Sequence, residues 1–436
     1  MTGTSGRWPP VSDGGCAMGM EVTVGRLSFL ARRPFEVKTA AMDADAAPAA
    51  VGEPDDAAQR EKVVAEQALA VAAAWSPPGA PQSWWLTAAA LTAVARDDVL
   101  RALAASLPPD RLPALLVVAA LSRQAALRPD TALARYFPRP GGTQPADDGG
   151  FPVAVAAFAR QEREALAALC AGHRYQMNEV ARCLDVLPVL NGIAARDRRP
   201  LALVDLGTGA GLALHLDRFA YTYRLAGGAA LTCGDPGATV QLDCAVHGVA
   251  PDVPQRVPPI LARIGVDVEP HDLADPDTYG WLAACVPPEA GAVTRFAAAA
   301  AITRSDGARA VRGDLLDVLE DAVAGLPEEA TVCLLDTYVH VFLPPAQLAR
   351  FDALLERLSR TRTIEWISVD PLVPLGPDAD STVQGLPVPD GWVEHNRAGG
   401  VFGVIGHVSL RDGRRTGRVV GRAHPSAAWL EWLPAR

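Results

Sequence analysis

The sequence has no CxxC pair, no apolar run of membrane-spanning length and no excess of positive charge. Its seven cysteines, Cys16, Cys170, Cys183, Cys233, Cys244, Cys285 and Cys333, are odd in number and scattered, with no histidine at zinc-finger spacing. That argues against a disulfide framework and a structural zinc site, and leaves the reduced thiols of a cytoplasmic protein as the expectation. The longest apolar run, LPALLVVAAL at 112–121, falls far short of the roughly 20 residues needed to cross a bilayer, so no membrane partner is expected. No basic start followed by an apolar stretch marks a secretory signal. A net charge of −10 argues against a nucleic-acid partner, because that binding is driven by Lys and Arg neutralising phosphates. The arginines of RDGRRTGRVVGR (411–422) flank an Asp412-Gly413 turn and read as a solvated hairpin tip. Acids and histidines show no metal-ligand spacing, so no metal site is expected.

What is present reads as three parts. Residues 1–58, rich in Gly, Pro, Ala and Asp, read as a disordered extension. From 59 to 172 the apolar spacing is helical, broken by PP, PG and RP, which predicts a helical cap. A further helix is expected over 175–195. Beyond it, strand-sized runs LALVDLG (201–207), ARIGVDVEP (262–270), ARAVRGD (308–314), ATVCLLDTY (330–338) and TIEWISVDP (363–371) alternate with helical segments. That alternation predicts an α/β domain over 173–436 with a doubly wound, mostly parallel sheet. GVFGVIGHVSLRDGRRTGRVVGRAHP reads as a terminal β-hairpin, and residues 224–260 as an inserted β-ribbon over the site. Trp429 and Trp432, at i and i+3, are expected to share a helix face that seals the core.

The run VDLGTGAG places Gly207, Gly209 and Gly211 behind a strand and ahead of a helical segment, where small residues let a backbone approach a nucleotide and leave helix N-terminal amides free. Leucine stands at 212 where a dinucleotide fingerprint has glycine, and no GK[ST] follows, which excludes the P-loop. VDLGTGAG resembles the first motif of the class I S-adenosylmethionine-dependent methyltransferases, which have a Rossmann-like fold. The resemblance implies S-adenosylmethionine as cofactor, with Asp205 near the methionine amino group, Asp267 or Glu269 of GVDVEP on the ribose hydroxyls, Asp314 of VRGD near the adenine, and Asp336 of CLLDTY ending the fourth strand. Asp267 lies unusually far along the chain from the glycines.

From about 60 to 435 the chain is also similar to the DUF2332 proteins, a family defined without a known reaction. The similarity rests on QMNEVARC (176–183), LDRFAYTY (216–223), GDP (234–236), VRGD (311–314), FLPP (342–345) and RAHPSAAWLEWL (422–433).

Further candidates carry two readings each. Gln176, Asn178, Glu179 and Arg182 either hold the methionine carboxylate or the substrate, or form a helix start with an i,i+3 pair. Arg218, with Asp217, Tyr221 and Tyr223, either orients a substrate or begins a packed ribbon. Tyr338 and His340 come after the fourth strand, where an acceptor atom is reached. His340 is the best placed general base of the eight histidines, against the ordinary reading of a structural hydrogen-bonder, and His173 and His424 rank after it. The resulting expectation is a methyltransferase acting on a small-molecule acceptor. The alternatives are an S-adenosylmethionine-binding enzyme of other chemistry and a non-catalytic binding protein on a degenerate fold.

Overall fold

The computed structural model describes residues 54–76, 81–307, 309–372 and 381–434. The expected extension lies outside them, except for its last residues, which begin the first helix. Helices α1 (Pro54–Ala74), α2 (Trp85–Arg96), α3 (Asp98–Ser106), α4 (Pro113–Leu127), α5 (Phe151–Gln161) and α6 (Arg163–Gly172) precede α7 (Cys183–Asp197). The helix expected from 175 starts later, because residues 173–179 stay irregular and the Glu179 carboxylate accepts the Ala181 N–H (2.9 Å), capping a 3-10 turn, Val180–Arg182, that leads into α7.

The chain then builds β1 (Leu201–Leu206), β2 (Ala220–Arg224), β3 (Ala230–Cys233), β4 (Gln241–Gly248), β5 (Ile260–Asp267), α8 (Pro276–Ala284), α9 (Ala290–Asp306), β6 (Arg309–Arg312), α10 (Leu315–Ala324), β7 (Thr331–Thr337), α11 (Pro345–Leu358) and β8 (Ile364–Pro371). A small hairpin, β9 (Thr382–Val383) and β10 (Leu386–Pro387), leads to α12 (Asp390–Arg397), β11 (Gly403–Arg411), β12 (Arg414–Ala423) and β13 (Trp429–Trp432). Strands other than the small hairpin form one mixed, mostly parallel sheet in the order β3-β2-β4-β13-β12-β11-β8-β7-β1-β5-β6. The five strands β6-β5-β1-β7-β8 run parallel. The residues of β1 are buried on both faces, as parallel strands covered on both sides must be.

Alternate residues divide the two faces. Ala202, Val204 and Leu206 pack with Val332, Leu334, Ile364 and Trp366 against α10 and α11. Leu201, Leu203, Cys333, Leu335, Ile367 and Val369 share a single core with α1 to α9.

The segment after the glycines departs from expectation. It forms β2, β3 and β4, which join the far edge of the sheet through β4 and β13 rather than standing over the site as a ribbon. Because β2 starts almost directly after a turn packed on β5, the sheet must curl back on itself. Helix α7 lies in the curl, touching β7, β8, β11 and β4. Pro188 inside α7 has no N–H, so the Leu184 carbonyl loses its helical partner, and the Tyr223 hydroxyl of β2 donates to it instead (2.9 Å). Trp429 and Trp432 are also corrected: they lie on a strand, where i and i+3 point to opposite faces, because β13 fills the gap between β12 and β4.

Candidate functional site

The carboxyl ends of β1, β5 and β7 carry the acids expected there, and the loops beyond them decide what each acid does. Gly207, Gly209 and Gly211 have φ of 65°, 54° and 76°, the left-handed region that favours glycine. At Gly207 a Cβ would stand 2.7 Å from Val339 Cγ2, so the loops after β1 and β7 touch there. The loop's amides are already engaged. The N–H groups of Gly207 and Thr208 donate to the Val266 carbonyl (2.8 and 3.2 Å), and that of Gly211 donates to Thr208 O (2.8 Å). The Gly209 N–H donates to Asp267 Oδ2 (2.8 Å), whose other oxygen accepts the Glu269 N–H (2.8 Å).

The expected α-helix after the glycines is instead a 3-10 stretch, Leu212–Arg218, interrupted at His215, because the Arg263 guanidinium takes the Leu214 carbonyl (3.1 Å) and the chain turns into β2. The glycine amides are therefore not what this loop offers a ligand. It offers close approach, beside carboxylates. Asp205, buried, accepts the Thr208 hydroxyl (2.8 Å); burial, with Asp267 and Asp336 nearby, pushes its carboxyl up to about 7. Next to the loop opens a cleft of about 240 Å³ between Thr208–Gly211, His271–Ala274, and Thr303, Arg304 and Gly307.

On the opposite face of the sheet, Asp336 accepts four donors: the backbone N–H groups of Val339 (3.2 Å) and His340 (3.1 Å) on Oδ1, and His340 Nδ1 (2.8 Å) and Trp366 Nε1 (3.0 Å) on Oδ2. Tyr338, at φ 63°, makes the turn that returns His340 onto Asp336. Asp370, at the end of β8, brings Oδ2 within 2.8 Å of the same Nδ1. A ring nitrogen carries one hydrogen, so the two carboxylates compete for it, and Asp370, 1% exposed, has beyond it only the Val341 N–H close by. Burial alone would lower His340, but Asp370 and Asp336 outweigh it and hold the imidazole well above its ordinary value. Burial and the Asp336 charge push the Asp370 carboxyl up to about 7 against the pull of His340. His340 and Asp370 line a cavity of about 290 Å³, walled by Trp366, Thr382, Gln384 and Asp352.

The other expected residues separate into groups. Gln176 Oε1 lies 3.4 Å from where a Gly209 Cβ would stand, so it covers the glycine loop. Asn178 braces backbone, donating to the carbonyls of Gln176 and Leu282 (both 3.3 Å). Glu179 pairs with Arg295 (3.2 Å) as well as capping its turn. Arg182 stacks on the Tyr338 ring at 4.0 Å and donates to the Pro425 carbonyl. The Tyr338 hydroxyl is buried without a partner, and burial pushes its pKa up, so it stays protonated and can donate a hydrogen bond.

Two expected residues are exposed and have partners of their own. Asp314 is exposed and caps α10 by accepting the Leu316 N–H (2.8 Å), and Arg218 is exposed and paired with Asp306 (2.6 Å). His424 stacks on Trp84 and burial lowers it to about 4, and His173 stacks on Trp281, so both act in packing. Sequence reasoning missed Asp370, although ISVDP is an apolar strand ending in an acid like the other three, and it missed Thr208 and Gln384. The expectation that acids and histidines show no ligand spacing overlooked the trio, because its third member comes from the neighbouring strand.

Among the described residues no helix is long and apolar enough to cross a membrane. No curated protein matches the chain. The solved structure of monomeric WbdD aligns at 13% identity and a TM-score of 0.23, over 52% of this chain and 51% of that one, so the chain spans about half the length of that protein. Residues 64–432 match the family described as uncharacterised proteins conserved in bacteria, DUF2332, and the chain belongs to that family.

Proposed function

We propose that this chain is a methyltransferase that binds S-adenosylmethionine along the glycine loop and alkylates a small molecule brought beside it at the carboxyl ends of β1 and β7. One observation carries the reading: the three glycines give close approach while their amides are already bonded within the fold, and the carboxylates of Asp205 and Asp267 are bonded to the loop itself, while Arg304 lines the cleft beside it. A phosphate ligand would need free N–H donors and positive charge. A nucleoside bearing a cation suits carboxylates. Supporting it, β6-β5-β1-β7-β8 is, in chain order, the third-second-first-fourth-fifth arrangement of doubly wound nucleotide-binding sheets. In such sheets ligands sit outside the strand ends where the order reverses, here between β1 and β7. Helices α1 to α6 would form the cap over that edge.

Bound there, the cofactor would supply an electrophilic methyl group. Asp205 and Gln176 would hold its amino-acid end, and Asp267 with Glu269 its ribose. Arg182 and Tyr338 would steady the acceptor, and the acceptor's proton would pass to the Asp336–His340–Asp370 trio. The rest of the rate would come from alignment of the two reactants. The same trio favours a second reading, acid-base chemistry on a bound adenosyl ligand without methyl transfer.

Calorimetric titration of S-adenosylmethionine and S-adenosylhomocysteine tests the first step. Micromolar binding, about −8 kcal/mol, that is lost in Gly209→Leu and weakened in Gln176→Ala is the expected result. No heat with either ligand, from protein shown to be folded, would sink the reading. Binding without S-adenosylhomocysteine formation across an acceptor screen would favour the second.

A further inference from the structure

We infer that Asp336, His340 and Asp370 form a binding site for one divalent transition-metal ion, Mn²⁺, Fe²⁺ or Zn²⁺, opening on the Asp370 cavity. The inference stands independently of the adenosyl cofactor. Each residue offers one ligand atom, and the three atoms lie within 4.8 Å of one another. His340 Nδ1 stands 2.8 Å from both Asp336 Oδ2 and Asp370 Oδ2. Two ligands at about 2.1 Å from a metal and at a right angle to each other are about 3.0 Å apart, so the site needs little movement to close on an ion.

The competing occupant is a proton on Nδ1. One hydrogen must serve two carboxylates that are 0% and 1% exposed, whereas a cation satisfies all three groups at once. Gln384, 6% exposed and on the cavity wall, has an unpartnered Oε1, so an acceptor oxygen short of a donor lies beyond the trio too.

The surroundings are those of a held ligand. Trp366 Nε1 and the backbone N–H groups of Val339 and His340 fix the Asp336 carboxylate, as outer partners of metal ligands do. One imidazole among carboxylates suits Mn²⁺, Fe²⁺ or Zn²⁺ better than Mg²⁺ or Ca²⁺, which prefer oxygen alone. Three protein ligands leave positions free towards the cavity, where an oxygen-bearing small molecule would complete the coordination.

The test is Mn²⁺ titration into chelator-stripped full-length protein, monitored by the loss of the free-ion paramagnetic resonance signal. About one equivalent is expected to bind, with modulation from a single histidine nitrogen on the bound ion. Asp370→Asn and His340→Gln should each weaken binding by more than about tenfold while thermal unfolding shows the fold retained. Zn²⁺ should displace the Mn²⁺. Absence of binding by Mn²⁺, Fe²⁺ and Zn²⁺ overturns the inference. So does bound Mn²⁺ lacking the nitrogen coupling, a readout on the unmodified protein that holds even where a variant fails to fold. Equal affinity in folded variants does the same. Adenosyl-ligand binding measured on the same sample is scored separately, so either result can fail alone.

Discussion

At the residue scale, the chain's buried titratable groups carry opposite pH signatures. Glu289 is 7% exposed, and burial, with Glu179 nearby, pushes its carboxyl from 4.5 to about 8. The folded state therefore holds this proton more tightly than the unfolded state. The stability it contributes is complete in acid and drains away as pH climbs from 4.5 towards 8, by at most about 1.4 kcal/mol per pH unit. Glu289→Gln should flatten that loss, as urea unfolding at about pH 5 and about pH 8 would reveal; an unchanged slope would remove Glu289 from the account. His424 has the reverse sign: held neutral at about 4, it costs stability as pH falls below 6.5. His424→Gln should therefore gain relative stability in acid, read by the same unfolding series. Much of this scale was legible beforehand. Asp205, Asp267, Asp336 and His340 sit at strand ends because an apolar run must stop before a charge, and that is visible in one dimension. What was not visible is which acid finds a donor. Asp314 caps the helix that follows it, and Asp370 shares the His340 imidazole with Asp336, an outcome that depends on a neighbour far away in sequence.

At the element scale, two local breaks in regularity are answered by distant partners. Pro188 orphans a carbonyl in α7, and Tyr223 from β2 satisfies it. Tyr223→Phe leaves that buried acceptor unpaired and should cost about 1–3 kcal/mol of unfolding free energy, measurable by denaturant titration. The Gly207 turn is the other. Gly207→Ala forces a side chain into the left-handed region and against Val339 Cγ2, and should destabilise the fold by about 1–3 kcal/mol. Adding Val339→Ala should return part of that loss, and strict additivity of the two changes would show that the contact between the β1 and β7 loops carries nothing. The strands of the parallel half were readable from apolar runs of the right length. The fate of 220–248 was not, because its short alternating segments fit a free ribbon and a sheet edge equally well. Only the pairing of β4 with β13, supplied by the last strand of the chain, decides between them. The tryptophans of that last strand misled for the same reason, since two apolar residues three apart satisfy a helix face until a partner strand claims them.

For the whole molecule, a chain of 436 residues is expected to hold more than one unit, because single cores seldom grow beyond roughly 250–300 residues. The structure instead joins α1 to α9 and the concave face of the curled sheet into one continuous set of buried side chains, running from Val64 to Trp432. Loop 137–150, inside the helical part, is tied on both sides: the Pro145 carbonyl accepts Trp85 Nε1 (2.9 Å), and Gln144 Oε1 accepts the Ala290 N–H (2.8 Å). The helices before the loop also reach the α/β half, since Trp75 and Trp84 close around His424 near the far end of the chain. Removing either part would expose the apolar face of the other, so neither has a stable state to populate alone. Calorimetric unfolding is therefore expected to give a single transition, with the van't Hoff and calorimetric enthalpies equal, and a fragment starting at 173 is expected to aggregate. Two resolved transitions, or a soluble and cooperatively folding fragment, would show that the helices are a separable cap.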